Sequence, residues 1–228
     1  MQEQHTAIAI DGPAAAGKST VAKIVAEKLN YIYVDTGAMY RALTLKALND
    51  KVDPSDDDAV LDLLMNTNIE LTNDLTGQRV ILDGKDVTEE IRYQPVSANV
   101  SYIAKLSTVR QEMLERQREL AKDRGVVMDG RDIGTHVLPN AQVKIFLVAS
   151  VDERAKRRHD ENIAKGIPSD LEQLKAEIEK RDEIDSNRET APLVRADDAI
   201  EVDTTSLSID EVVRSILQEV EKYKDKQN

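Results

Sequence analysis

Apolar residues in this chain fall in short runs separated by longer stretches with helical spacing. Four runs, at 6–10 (TAIAI), 31–34 (YIYV), 126–128 (VVM) and 143–149 (VKIFLVA), read as strands buried on both faces of a parallel sheet. A fifth, at 199–202 (AIEV), precedes the last helical pattern. Three of the first four run into Asp or Gly within a few residues, and helical periodicity follows. Strands alternating with helices need crossover connections, which make the sheet parallel. The expected fold is α/β, with a five-stranded parallel core between layers of helix.

Two segments break that rhythm. Within 52–105, residues 68–71 and 79–82, joined through NDLTG, look like an antiparallel hairpin, and Asp83-Gly84 is a further turn signal. Helical spacing resumes at 88–91, and one long amphipathic stretch runs over 96–122. These features predict a small α+β insert at 52–105 between the second and third core strands, leaving 1–51 and 106–228 as the core. The second segment, 151–190, is dense in charge and carries Leu171, Leu174 and Ile178 at helical spacing. It suits a mobile, solvated helical arm; an ordinary exposed helical hairpin fits the same composition.

Residues 12–19, GPAAAGKS, match G-x-x-x-x-G-K-[ST] between an apolar strand and an amphipathic helix. Gly12 and Gly17 permit backbone angles that turn successive N–H groups toward phosphate oxygens. The helix start adds its positive dipole end. Lys18 can reach β- and γ-phosphates, the Ser19 hydroxyl can ligate Mg²⁺, and Thr20 suits the α-phosphate or a cap. Switch GTPases, motors and small-molecule kinases all use such a loop, so the other strand ends must supply specificity.

After the second strand, Thr36 can bond a phosphate and Arg41 can fork one bidentately. The third core strand ends in Asp129-Gly130-Arg131-Asp132. An Asp at that position resembles the Walker B carboxylate that holds Mg²⁺, and either Mg²⁺ or Arg131 is expected to compensate its charge. Asp132 reads either as a ligand-facing group or as a structural ion pair. Spacings of three and four put Arg154, Arg157 and Arg158 on one helical face, and Arg181, Asp185 and Arg188 on another. Such runs are usually solvated, but arginines facing one way on an acidic chain also suit a lid over phosphates.

Composition narrows the partners. The net charge of −12 opposes binding to nucleic acid over a broad surface, and one Phe with no Trp leaves no stacking platform. No apolar run approaches the ~20 residues of a membrane span, the start MQEQHTAIAID lacks signal-peptide character, and there is no cysteine. A cytoplasmic protein acting on small anions is expected. His5, His136 and His159 have no ligand spacing and read as incidental.

Taken in order, IDGPAAAGKST, VDTGAMYRALT, VVMDGRDIGT, VKIFLVAS, EIEKRDEIDSNRETAPL and DTTSLSIDEVV resemble the bacterial cytidylate kinase family over essentially the whole chain. The resemblance implies a P-loop three-layer α/β core, a nucleotide-binding insert and a short helical lid at about 151–168. It implies ATP-dependent phosphorylation of CMP and dCMP to their diphosphates with Mg²⁺, by an enzyme that is a monomer. It puts Gly12, Pro13, Ala14, Ala15, Ala16, Gly17, Lys18, Ser19 and Thr20 on ATP, helped by Arg157 of the lid. Thr36, Arg41 and Arg131 would surround the CMP phosphate. Ser101, Arg110 and Asp132 would address cytosine, Arg181 and Asp185 the ribose hydroxyls, and Arg188 the base or phosphate side. The expected catalytic set is Lys18, Asp129, Arg131 and Arg188. Where similar enzymes carry Ser, this chain has Thr36, which keeps the hydroxyl. Asp132 can accept from cytosine N4 while Arg110 and Ser101 donate. No general base is needed, because a phosphate monoester with a second pKa of about 6 is already largely ionised at neutral pH. A kinase for another nucleoside monophosphate or a small anionic metabolite is an alternative that substrate profiling separates, and an ATP-binding sensor is one that ATP binding without acceptor-dependent ADP release would reveal.

Overall fold

The computed structural model describes residues 6–74 and 77–226; His5 and the remaining parts of the expected core and insert lie outside them. β1 (Ala7–Asp11) leads to α1 (Lys18–Leu29), β2 (Ile32–Asp35), α2 (Thr36–Asn49) and α3 (Asp57–Met65). Three short strands follow, β3 (Ile69–Asp74), β4 (Gly77–Leu82) and β5 (Lys85–Asp86), then a 3₁₀ turn at Glu90–Arg92, α4 (Gln94–Ala104) and α5 (Ser107–Ala121). Next come β6 (Val126–Gly130), a π-helical turn at Ile133–Val137, β7 (Val143–Val148), α6 (Val151–Ala164), α7 (Leu171–Asn187), β8 (Ile200–Asp203) and α8 (Ile209–Asp225).

The expected α/β core is present, each strand within a residue or two of its apolar run. The order is β2-β6-β1-β7-β8 and every pairing is parallel. Alternate side chains serve opposite faces. Ile8, Ile10, Val127 and Ile145 pack with Val21, Val25, Val212 and Ile216 of α1 and α8. Ala9, Val34 and Met128 point the other way, into a cluster closed by Leu114 and Leu120 of α5 and by Ile133 and Val137 of the π turn. With both faces covered, the strands read as continuous apolar runs. No helix among the described residues is long and apolar enough to cross a membrane.

The expected hairpin is present as β3 and β4 of a separate three-stranded antiparallel sheet; residues 75–76 of the NDLTG connection lie outside the described residues. It also finishes the core. β2 is an edge strand, and an edge leaves backbone groups unpaired. The Gln78 amide takes the place of a neighbouring strand: its Nε2 donates to the Tyr33 carbonyl at 2.7 Å, and its Oε1 accepts the Asp35 N–H at 3.2 Å.

Two helical expectations need correction. The stretch over 96–122 is two helices, because Leu106 turns extended (φ −67°, ψ 123°) and is buried beside Val109 and Met113. Burying that side chain outweighs continuing the ladder, and no Gly or Pro marks the break. The helical spacing at 88–91 yields only the single 3₁₀ turn. The segment from 151 onward is a helical hairpin of α6 and α7, yet Arg154 within it is buried.

β1 ends against β7 so closely that side-chain volume is excluded. Gly12 has φ +147°, and a Cβ there would sit 2.2 Å from the Leu147 carbonyl oxygen. Gly12→Ala is therefore expected to cost at least about 2 kcal/mol of unfolding free energy. Urea denaturation checks this, and an unchanged midpoint would refute it.

Candidate active site

Ligand sites in open parallel sheets lie beyond the carboxyl ends of the strands, and three of those ends here are acidic. Asp35 of β2 stands in register with Asp129 of β6, and Asp11 of β1 lies across from Gly130. The loop after β1 has Gly17 in the left-handed region (φ 87°) as the N-cap of α1, with no side chain capping it. The first N–H groups of α1 thus have no side-chain acceptor at the N-cap, as an anion site requires. Ala15 also has positive φ (59°). Lys18 bends back to donate to the Pro13 carbonyl at 2.6 Å. Burial, then the nearby Arg131 guanidinium, hold its ammonium well below the usual lysine range. A bound phosphate would reverse both effects.

Ser19 donates to Asp129 Oδ2 at 2.9 Å, and the Tyr33 hydroxyl donates to Oδ1 at 2.8 Å. Burial and the neighbouring Asp35 carboxylate push Asp129 up to about 6. Arg131 was one expected partner for this charge, but it turns instead to Asp185, with Nε 2.9 Å from Oδ2. A hydroxyl and a buried carboxylate side by side are hard oxygen donors. They fit Mg²⁺, which keeps most of its water and takes few protein ligands. Among the described residues no group of three or more His, Asp or Glu side chains forms a closed metal site. Among the described residues the His136 and His159 rings bond Thr135 and Ser169.

The acceptor-side residues converge beside this loop. Thr36 donates to the Asp129 carbonyl at 2.8 Å, and a Cβ at Gly130 would lie 2.7 Å from its hydroxyl oxygen. Arg41 pairs with Asp35 at 2.7 Å. Burial opposes ionisation of Asp35, but Arg41 and the Ala38 N–H outweigh it and keep the carboxyl low. Asp132 is buried between Arg110 at 2.5 Å and Arg188 at 3.2 Å. Asp185 takes Arg131, lies 3.9 Å from Arg181, and has the Ser101 hydroxyl at 3.5 Å. Against burial, Arg131, Arg181 and Arg188 together hold the Asp185 carboxyl low. Burial and Arg131 depress Arg181 to about 10.

The arm arginines divide. Arg157 donates to Thr204 Oγ1 at 3.1 Å and to its carbonyl at 2.6 Å. Arg158, half-buried, bonds Glu161 of its own helix. Arg154, read in sequence as part of a solvated run, is buried: it donates to the Ala14 carbonyl of the phosphate loop at 3.0 Å and pairs with Asp182 of α7 at 2.6 Å. Tyr33 and Asp11 are also absent from the sequence-derived set. Asp11 accepts N–H bonds from Ile133 and Gly134 at 2.8 and 2.7 Å. Its place at a strand end, like that of Asp129, was the one available signal; Tyr33 offered none beyond strand alternation.

A family model for cytidylate kinase matches residues 8–222. The chain belongs to the cytidylate kinase family. It is 64% identical over 226 residues to the cytidylate kinase of Oceanobacillus iheyensis, covering 99% of this chain and 98% of that one. It is 60% identical over 220 residues to that of Bacillus subtilis, at 96% and 98% coverage. Among solved structures, a gluconokinase from Sinorhizobium meliloti superposes with a TM-score of 0.51 at 16% identity, covering 97% of this chain and 95% of that one. That likeness concerns the fold alone.

Burial pushes Asp11 up to about 7 despite its two backbone bonds. The native state therefore holds a proton that the unfolded chain releases near pH 4. This group's contribution to stability falls as pH rises from about 4 to about 7 and is flat above that. The urea midpoint should drop between about pH 5 and about pH 8, and Asp11→Asn should remove part of the drop. An equal drop in variant and wild type would contradict the assignment.

Proposed function

We propose that this chain transfers the γ-phosphoryl group of ATP to CMP and dCMP, giving CDP and dCDP with Mg²⁺ as the assisting ion. Three guanidinium donors carry the conclusion. Nε of Arg41, Arg110 and Arg181 is buried with no hydrogen-bond partner among the described residues. Buried donors left unmatched cost about 1–3 kcal/mol each, a cost that an anionic, hydrogen-bonding ligand would relieve. All three belong to the expected acceptor set.

On the donor side, Gly12, Pro13, Ala14, Ala15, Ala16, Gly17, Lys18, Ser19 and Thr20 would wrap the triphosphate, and Arg157 would support it from the lid. Ser19 and Asp129 would hold Mg²⁺, which when bound draws charge from the β- and γ-phosphoryl oxygens. On the acceptor side, Thr36, Arg41 and Arg131 would orient the CMP phosphate. One of its oxygens attacks the γ-phosphorus as the bond to the ADP oxygen breaks. Lys18, Arg131 and Arg188 would stabilise the charge spread over the transferring group. Positioning two polyanions in line and neutralising their repulsion is most of the work.

Base choice would rest on Asp132. A carboxylate offers about four lone-pair sites, and Arg110 and Arg188 use two, so acceptor capacity remains for cytosine N4. Uracil would set a carbonyl against that carboxylate. Asp185, with Arg181 and Ser101 beside it, would take the ribose hydroxyls and the rest of the pairing edge. Residues 52–105 would act as the acceptor insert and about 151–168 as the lid, on a core of 1–51 and 106–228. We further infer a cytoplasmic monomer without nucleic-acid partners, in keeping with a net charge of −12 and 32% charged residues.

ADP release measured with CMP, dCMP, UMP and AMP tests the activity; release that does not depend on CMP would overturn it. Asp132→Asn, which offers an amide donor to uracil, is expected to shift the CMP-over-UMP ratio of kcat/KM about 10-fold or more toward UMP. Equal ratios would remove Asp132 from base choice. Lys18→Met should lower kcat about 100-fold in the same assay, and a kcat near wild type would exclude Lys18 from transition-state stabilisation.

A further inference from the structure

Tyr33 has no role in the binding sets above, yet its hydroxyl reaches Asp129, the strand-end carboxylate that Ser19 also bonds. The residue is 5% exposed and packs in the cluster formed with α1. Its O–H donates to Asp129 Oδ1 at 2.8 Å while the Ser19 hydroxyl donates to Oδ2 at 2.9 Å. A carboxylate gripped at each oxygen by a different side chain cannot rotate about its Cβ–Cγ bond without losing one of them. Both bonds go to an ionised acceptor, the strong class of hydrogen bond. Burial and the Asp129 charge push the Tyr33 phenol well above its usual range, so it stays a donor.

The backbone of Tyr33 is fixed too. Its carbonyl accepts from Gln78 at 2.7 Å and from Asn73 at 3.3 Å, both on the β3–β4 hairpin. Tyr33 is therefore anchored from two directions, and it passes that rigidity to Asp129. Without its hydroxyl, Oδ1 would be a buried acceptor that has lost its hydrogen-bond donor.

We propose that Tyr33 is a positioning residue for the divalent cation that accompanies the donor nucleotide. Its hydroxyl fixes the plane of the Asp129 carboxylate, and so keeps Ser19 and Asp129 as a paired set of oxygen donors at the head of α1. Outer groups that orient metal-holding side chains typically matter 10- to 100-fold in metal affinity. This inference rests on the donor-site assignment above, and the test separates the two.

ATP binding is measured calorimetrically for wild type and Tyr33→Phe, once in excess Mg²⁺ and once in EDTA. Phe keeps the ring and removes only the hydroxyl. Wild type is expected to bind ATP more tightly with Mg²⁺ than without, and Tyr33→Phe to shrink that ratio about 10-fold while metal-free binding stays level. Each ratio is internal to one protein, so a lower folded fraction cancels from it. A ratio unchanged in Tyr33→Phe, or equal weakening with and without metal, overturns the role of Tyr33. A wild-type ratio near one overturns the metal assignment itself, and no ATP binding at all overturns the donor site.

Discussion

Like charges crowd the carboxyl edge of the central sheet: Lys18, Arg41, Arg110, Arg131, Arg181 and Arg188 all approach one cleft. Their mutual repulsion is the constraint around which the rest is arranged. Unrelieved, six cations partly removed from water would unfold the edge or lose their protons. Three carboxylates offset them from within. Asp35 takes Arg41, Asp132 takes Arg110 and Arg188, and Asp185 takes Arg131 and lies near Arg181. The compensation is incomplete, because three guanidinium Nε atoms have no hydrogen-bond acceptor among the described residues.

That arrangement links stability to the proposed chemistry. In the proposed reading, the carboxylates that pair with the arginines would use their remaining lone pairs on a base and a ribose, and the residual positive field would favour phosphate. Asp129 is set apart from this network: among the described residues two hydroxyls hold it and no guanidinium does. Arg131 turns to Asp185 and leaves Asp129 to its two hydroxyl partners. The Gln78 amide on β2 and the Arg154 contact with Ala14 extend the same logic to backbone. Each fixes a loop end on which a charged group depends.

Much of this was legible before any tertiary contact was known. Residues 12–19 form a contiguous loop whose chemistry is local, and the five apolar runs fall where the strands lie. The hairpin followed from its turn residues. Expectations failed where long-range burial outweighs local pattern: at Leu106, whose packing splits a continuous amphipathic stretch, and at Glu90–Arg92, where helical spacing gives one turn. The arginine spacing on α6 was correct, but spacing cannot say that Arg154 goes inward while Arg158 stays half-buried.

The sequence by itself determined the α/β class, the phosphate loop and the family, because each rests on contiguous residues or on motifs in fixed order. Only the tertiary structure decided the pairings. Asp129 meets Ser19 and Tyr33 rather than Arg131, Asp132 sits between two arginines 22 and 56 residues away, and Asp11 grips the turn after β6. Charge pairing depends on distances across the sheet and on exclusion of water, and neither quantity is written in the order of residues along the chain.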